Sequence, residues 1–309
     1  FAGGRDLKPG TTLDELGLSS LDRVELMMAL EESFQVTLDE SALAGAKTIG
    51  EVREQVSGGL KPPLTAGATE RPASAGPPAH EPIAFPSWNR SPLSWFIRRI
   101  SLPTWILPLA RVFMKLQVDG LEHLAALEGP VVFAANHQSH MDTPAILIAL
   151  PARWRYRVAP AMAKEFFRAH FFPGQFTRRE WFTNSLNYYL ACQFFNAFPL
   201  PQREAGTRQT LRYIGEIVAD GYSVLIFPEG ERHTEGEIVP FRPGIGMIGA
   251  RLEVPVVPVR IVGLDRVLHP KWKWPKRGPV RIAFGAPLSL EGEDYGALAK
   301  RVEEAVSRL

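Results

Sequence analysis

Residues 58–84 decide how this chain can be built. Between positions 58 and 82 there are 6 Pro, 4 Gly and 5 Ala and almost no large apolar side chain. Such a stretch cannot bury enough apolar surface to offset the entropy of ordering it, so it reads as a linker. The 309 residues must therefore fold as two bodies, 1–57 and 85–309. A flexible linker of this length reaches roughly 25–30 Å, which tethers the smaller body at high effective concentration without fixing it. Charge divides along the same line. Residues 1–57 hold 11 Asp/Glu against 5 Lys/Arg, a net of −6, and the remainder carries +8. An acidic module tied to a basic one suggests mutual docking, or a basic face toward anionic lipid or a phosphorylated substrate. No basic-aromatic RNA motif or zinc-ligand spacing supports nucleic acid or metal as a partner.

In the acidic module, Leu21, Val24 and Met28 form an apolar stripe within Ser20 to Phe34, with Met27, Leu30 and Phe34 beside it. Thr48-Ile49-Gly50-Glu51 has the capping-box form, and Ile49, Val52 and Val56 continue at helical spacing. The run Leu16-Gly17-Leu18-Ser19-Ser20-Leu21-Asp22-Arg23-Val24-Glu25-Leu26, followed by Ala29-Leu30-Glu31-Glu32-Ser33-Phe34, resembles the acyl carrier protein family. That resemblance implies a small all-α four-helix bundle over 1–57. It also implies a covalent 4'-phosphopantetheine on Ser20, whose thiol carries an acyl group. Ser19 stands where the family usually has Asp. Read from the residues alone, Ser20 equally suits the N-cap of a helix.

The basic body alternates short apolar runs with helical patterns, which predicts an α/β domain with a mixed, largely parallel sheet flanked by helices. Strands are expected at Leu116–Asp119, Val131–Ala135, Arg155–Val158, Tyr222–Phe227, Val254–Val262 and Val280–Phe284. Helices are expected at Ala145–Leu150, Thr207–Ala219, Gly246–Leu252 and Tyr295–Leu309. No apolar run has the roughly 18–20 residues of a membrane span, since Pro103, Pro108 and Arg111 break Ile100–Met114. Over residues 88–115, Trp88, Trp95 and Trp105 alternate with Arg90, Arg98, Arg99 and Arg111, a pattern that serves either membrane-interface helices or a hairpin packed on the domain. The aromatic stretch Phe166–Phe198 is a candidate lipid-facing insertion, with core packing the expected use of most of its rings.

Directly after the apolar run Pro130–Ala135 comes Asn136-His137-Gln138-Ser139-His140-Met141-Asp142. His137 and Asp142 are five residues apart, about 140° past a full helical turn, so they meet only if the chain turns between them. Pro144 favours such a turn, with a helix beginning beyond it. Met in this way, they make an oriented general base; unmet, they are loop groups capping a helix. The same motif, with Phe227-Pro228-Glu229-Gly230-Glu231-Arg232 and Val254-Pro255-Val256-Val257-Pro258-Val259 in that order, resembles the glycerolipid acyltransferase family, typified by 1-acylglycerol-3-phosphate acyltransferases. The resemblance implies that His137 is the base and Asp142 its orienting partner. It also implies that Arg203, Glu229, Gly230, Arg232 and Lys164 serve the acceptor phosphate and that Pro255, Val256 and Pro258 lie along the acyl chain. Glu231 stands where the family often has Thr. By residue type alone, Pro255 and Pro258 punctuate an edge strand, Arg203 suits a solvated surface and Glu229 suits a capping carboxylate.

Together these readings predict an O-acyltransferase at a membrane surface. It would move an acyl group from a carrier thioester or coenzyme A to a lysophospholipid hydroxyl, with no metal and no nucleophilic Ser or Cys. Ser139 is expected to be structural and His140 to have no catalytic part. The alternatives are a non-catalytic carrier and tethering module, or part of a larger enzyme that also activates fatty acids. A single cysteine, Cys192, suits a reducing compartment, and the expected location is the cytoplasmic inner face of a membrane, peripheral or monotopic. A first residue that is Phe, with no signal-peptide pattern after it, is expected of a chain that starts inside a longer polypeptide.

Overall fold

The computed structural model describes Leu30 and residues 48–59, 85–201, 207–230, 232–233, 238–269, 271–272 and 274–309. Ser20, the helix expected around it apart from Leu30, the rest of the expected carrier bundle, the linker beyond Gly59, Arg203 and Glu231 lie outside these residues. The smaller unit contributes helix α1, Ile49–Gly59. It opens on the expected capping box, in which the Thr48 amide donates to the Glu51 carboxylate at 3.4 Å and the Glu51 amide donates to the Thr48 hydroxyl at 3.3 Å. Val52 on its apolar stripe is buried.

The larger unit is built on seven strands: β1 Met114–Asp119, β2 Val132–Ala135, β3 Val158–Ala163, β4 Phe198–Leu200, β5 Ser223–Ile226, β6 Val256–Val262 and β7 Gly278–Phe284. Their spatial order is β1-β7-β6-β2-β5-β3-β4, and every neighbouring pair is parallel except β6 with β7. Every residue of β2 and β5 is buried, as expected of central strands covered on both faces, and the one polar member, Ser223, accepts from the Val131 amide at 3.1 Å. The flanking helices are α2 Pro92–Ser101, α3 Asp142–Ala149, α4 Arg178–Phe195, α5 Thr207–Ala219, α6 Gly244–Leu252 and α7 Tyr295–Ser307. On one face Phe133, Val257, Val259 and Phe284 pack with Leu102, Leu107 and Ile146. On the other, α7 lies on β2 and β6 and crosses α6 at Gly246, where a Cβ would collide with the Tyr295 carbonyl.

Two expectations are corrected. The third strand is Val158–Ala163 rather than Arg155–Val158, because Pro151 starts a helical turn, Ala152–Arg155. Arg155 belongs to that turn and donates back to the carbonyls of Leu147, Ile148 and Leu150 at 2.7, 3.2 and 2.9 Å, closing the end of α3. The strand holding Pro258 is interior, not an edge. Pro258 precedes the first β6–β7 pair, Val259 with Phe284, so its missing N–H breaks no bond of that ladder, and its carbonyl accepts from the Gly285 amide at 2.8 Å. Strand β4, at the sheet edge, had no separate expectation.

The segment before β1 runs from α2 through a π-helical turn, Leu102–Ile106, into Leu107–Arg111. Pro103 and Pro108 lack the N–H of a regular helix, and the hydroxyls of Ser101 and Thr104 donate to the carbonyls of Ile97 and Ile100 at 2.6 and 2.8 Å. Leu102 and Leu107 point into the core while Leu93, Phe96, Ile100, Trp105 and Leu109 are exposed. Helix α4 is likewise divided: Tyr188 and Cys192 are buried, and Trp181, Phe182, Leu186, Tyr189 and Leu190 face outward, more than core packing predicted. Buried Arg98 clasps the two helices, donating to the carbonyls of Asn89, Gln193 and Cys192 at 2.7, 3.1 and 3.4 Å. Burial pulls its guanidinium pKa down to about 10. No helix among the described residues is long and apolar enough to cross a membrane.

Where β2 pairing with β6 stops, a side chain takes over. The Asn136 carboxamide donates to the Ile261 carbonyl at 3.0 Å and accepts from the Ile261 amide at 2.7 Å, and Asn136 is buried. Asn136→Ala leaves both backbone groups unpaired and should cost about 3 kcal/mol of stability, read as a lower urea midpoint with the slope unchanged. A midpoint within error of wild type would show that the clamp is dispensable.

Candidate active site

Strand register brings the two polar motifs together. Parallel β2 and β5 align Ala134 with Ile226, and β3 joins them with Pro160 opposite Leu225, so the loops leaving all three strands emerge at one rim of the sheet. Ligands of open α/β sheets bind outside such carboxyl ends. Residues 137 and 229 each lie three positions beyond the aligned pair Ala134 and Ile226, and the imidazole of His137 stacks on Phe227 with ring centroids 4.2 Å apart.

Between His137 and Asp142 the chain turns as their spacing demands. Asp142 is the first residue of α3 and is 1% exposed. Its Oδ2 lies 2.6 Å from His137 Nδ1 and 2.7 Å from the Gln138 amide, and the Ser139 amide donates to Oδ1 and Oδ2 at 3.1 and 3.0 Å. A carboxylate held by two amides has its remaining capacity directed at one imidazole nitrogen, which fixes Nδ1 as the protonated one and leaves Nε2 with a free lone pair. The loop is braced from outside. The Ser139 hydroxyl donates to the Leu268 carbonyl at 2.7 Å, the Gln138 side chain accepts from the Leu264 amide at 3.2 Å, and the His137 carbonyl accepts from the His233 amide at 2.9 Å.

His137 opens onto a cavity of about 590 Å³ whose wall includes Thr143, His140, Gly230 and Arg232. Its apolar side is formed by Ala161, Met162, Phe166, Phe167, Ala191 and Phe195 from β3, the turn after it and α4. Gly230 has a φ of +77°, and any Cβ there would lie 2.5 Å from the Arg242 guanidinium carbon. Arg232 reaches over Phe166 at 5.8 Å, and its buried Nε has no hydrogen-bond partner among the described residues. Burial lowers its pKa, opposed by Asp142, and burial also lowers that of His140, assisted by Arg232 and His137.

Glu229 is buried behind this wall, with Oε2 3.3 Å from His233 Nδ1 and Oε1 without a hydrogen-bond partner among the described residues. Burial pushes its carboxyl up to about 8; the nearby Asp142 charge adds to this, while the His137 amide and Arg260 pull the other way.

Other expected residues lie elsewhere. Lys164 is buried with its ammonium 5.5 and 5.3 Å from the rings of Phe171 and Phe172, and it is not part of the cavity wall. Pro255, Val256 and Pro258 are also absent from that wall: Val256 is fully buried, pairing with Leu288. Cys192 is fully buried, its thiol pushed up to about 12 by desolvation, and is unfit as a nucleophile. Arg242 and His233 were not anticipated. The signal for Arg242 is a basic residue ahead of Pro243-Gly244, where α6 begins.

Residues 115–262 match the family model described as Acyltransferase, and residues 3–56 match the one described as Phosphopantetheine attachment site. The larger unit carries an acyltransferase-family domain. Among relatives of this acyltransferase domain, a chloroplastic 1-acyl-sn-glycerol-3-phosphate acyltransferase of Brassica napus is 27% identical over 50% of this chain and 40% of its own length. The human 1-acyl-sn-glycerol-3-phosphate acyltransferase beta is 26% identical over 66% of this chain and 64% of its own. The chain thus spans less than two thirds of each. A solved 1-acyl-sn-glycerophosphate acyltransferase of Thermotoga maritima aligns over 70% of this chain and 84% of its own, at 23% identity and a TM-score of 0.47.

The raised carboxyl of Glu229 has a measurable consequence. Its folded-state pKa of about 8 exceeds the ordinary 4.5, so the native protein binds this proton more tightly than the unfolded chain and loses stability as pH rises between those values. Glu229→Gln removes that loss. Urea midpoints of wild type and variant, measured from pH 5 to pH 8, should diverge in favour of the variant as pH rises, and parallel curves would contradict the assignment.

Proposed function

We propose that the acyltransferase domain moves an acyl group from a thioester to the hydroxyl of a lysophospholipid such as 1-acylglycerol-3-phosphate. The observation that carries this is the Asp142-bound imidazole of His137 standing at a cavity with an apolar wall and a cationic one. Nε2 takes the acceptor's hydroxyl proton as the oxygen attacks the thioester carbonyl. The carbon–oxygen bond forms, the electron pair passes to the carbonyl oxygen, and its return breaks the carbon–sulfur bond. The imidazolium then returns the proton to the departing thiolate, while Asp142 stays ionised and steadies the charged ring. No acyl-enzyme is needed.

Among the described residues the amides of Gln138, Ser139, Met141, Asp142 and Ala145 already have acceptors. Those of His140 and Thr143 are therefore the candidates for holding the tetrahedral oxyanion. Arg232 offers its guanidinium to the acceptor phosphate, with Arg203 as a second cation. Glu229, buried behind the cavity wall, supports His233 from behind rather than reaching the acceptor. The acyl chain lies against β3 and α4 rather than against Pro255, Val256 and Pro258. Outward-facing Leu93, Phe96 and Trp105 and the exposed rings of α4 suit a lipid surface, from which both lipids enter. We place the domain peripherally on the cytoplasmic face of a membrane.

Residues 3–56 supply the second half of the reading. A carrier bundle docking on the acyltransferase domain would deliver its own acyl group, as a thioester on a phosphopantetheine at Ser20, with acyl-coenzyme A as an alternative donor. His137→Ala should lower transfer to lysophosphatidic acid by at least about a hundredfold in protein that still unfolds cooperatively in urea, at a midpoint lowered by the loss of Asp142's ring partner. Ser20→Ala should prevent acyl loading, and with it carrier-dependent turnover, and spare turnover with acyl-coenzyme A. Undiminished transfer by His137→Ala would remove the assigned base.

A further inference from the structure

From Arg266 on, the loop from β6 to β7 is, like the segment before β1, basic and tryptophan-bearing without an acidic residue. Between Asp265 and Glu291 there is no acidic residue, whereas Arg266, Lys271, Lys273, Lys276, Arg277 and Arg281 are all basic and Trp272 and Trp274 lie among them. The loop is built rather than loose. The Lys276 amide donates to the Val267 carbonyl at 2.7 Å, the Trp272 amide to the His269 carbonyl at 2.9 Å, and the Lys271 amide to His269 Nδ1 at 3.2 Å. Lys276 sits 4.0 Å from the centre of the Trp272 ring. Trp274 is 80% exposed, and Lys271, Trp272, Lys276 and Arg277 are exposed with it. Lys271, Lys276 and Arg277 form no ion pair among the described residues.

The loop's place in the fold matters as much as its chemistry. Strand β6 runs parallel to β2, so the loop leaves the sheet at the rim that carries His137, and its Leu268 carbonyl holds the Ser139 hydroxyl. Strand β7 begins at the same rim beside β1, with Gly278 opposite Met114 and its amide bonded to the Phe113 carbonyl at 3.1 Å. Leu109 and Val112, exposed at the end of the apolar helical segment, are therefore chain neighbours of the strand end against which the loop finishes. A tryptophan so fully exposed has little reason to face water, and its amphipathic ring suits the headgroup layer of a bilayer. Exposed cations interleaved with such rings fit an anionic lipid surface by charge.

We propose that loop 268–277 is a second membrane contact, one that takes anionic phospholipid headgroups, and that together with the apolar α2 and α4 surface it turns the His137 rim toward the bilayer. This rests on the reading that the domain works at a lipid surface. The full chain would be sedimented with vesicles of phosphatidylcholine alone and of phosphatidylcholine mixed with phosphatidylglycerol. Wild type should bind the mixed vesicles more tightly. The triple change Lys271→Glu, Lys276→Glu, Arg277→Glu should weaken binding to mixed vesicles by about tenfold or more and leave binding to neutral vesicles little altered. Trp274→Ala should weaken both. Transfer between short-chain, water-soluble substrates should be unchanged in all three proteins. Vesicle binding that follows this pattern supports the anchor even where no acyl transfer is detected, so the two readings fail separately. Variants that bind both vesicles like wild type would overturn the proposal. Slower transfer from the acyl-loaded carrier, with vesicle binding intact, would likewise overturn it by assigning the patch to a protein partner.

Discussion

One buried carboxylate organises this domain. Asp142 accepts from the Gln138 and Ser139 amides and from the His137 ring, all within 3.1 Å, so a single side chain closes the turn, starts α3 and orients the imidazole. Burying an ionised carboxylate is costly unless its lone pairs are filled, and here the filling is local in sequence. The turn is held from the other side by Asn136, which extends the β2–β6 pairing with a side chain, and by Ser139 and Gln138, which reach the segment after β6. The imidazole's position is thus tied to the sheet rather than to a loose loop, and the cost of misplacing it falls on several buried hydrogen bonds at once.

The same economy appears in α4. Its inner side meets the cavity through Ala191 and Phe195, and its outer side exposes Trp181, Phe182, Leu186, Tyr189 and Leu190. A helix with apolar residues on both sides has low amphipathicity and is hard to read from periodicity, yet the arrangement places a lipid-compatible exterior one helix thickness from the chemistry. Arg98, desolvated between α2 and α4, fixes that exterior by bonding three backbone carbonyls that would otherwise be left unpaired.

The alternation of buried strands and helices was legible because β2, β5 and β6 are short apolar runs bounded by Gly, Pro and polar turns. The antiparallel return of β7 and the edge strand β4 were not, since neither direction nor sheet order is written in a run of four to seven residues. Val158–Ala163 was displaced because its Ala-rich run lacks the β-branched bias of a strand, while Arg155 acts through three carbonyls far from its apolar neighbours. At the site, His137, Asp142, Gly230 and Arg232 could be read from motif order, and the structure gathers them at one rim. Lys164 and Pro255, Val256 and Pro258 could not be placed that way: motif order fixes the chain's course but not which side of a strand reaches the cavity. Arg242 became visible only through its closeness to Gly230, a contact across twelve residues of chain.

The tautomer of His137 tests the central relation most directly. Nitrogen-15 NMR of the imidazole at neutral pH, compared between wild type and Asp142→Asn, reads which ring nitrogen carries the proton. The structure predicts a protonated Nδ1 and an unprotonated Nε2 in wild type, with that preference lost in the variant. A wild-type ring protonated at Nε2, or a spectrum indifferent to the change at Asp142, would contradict it.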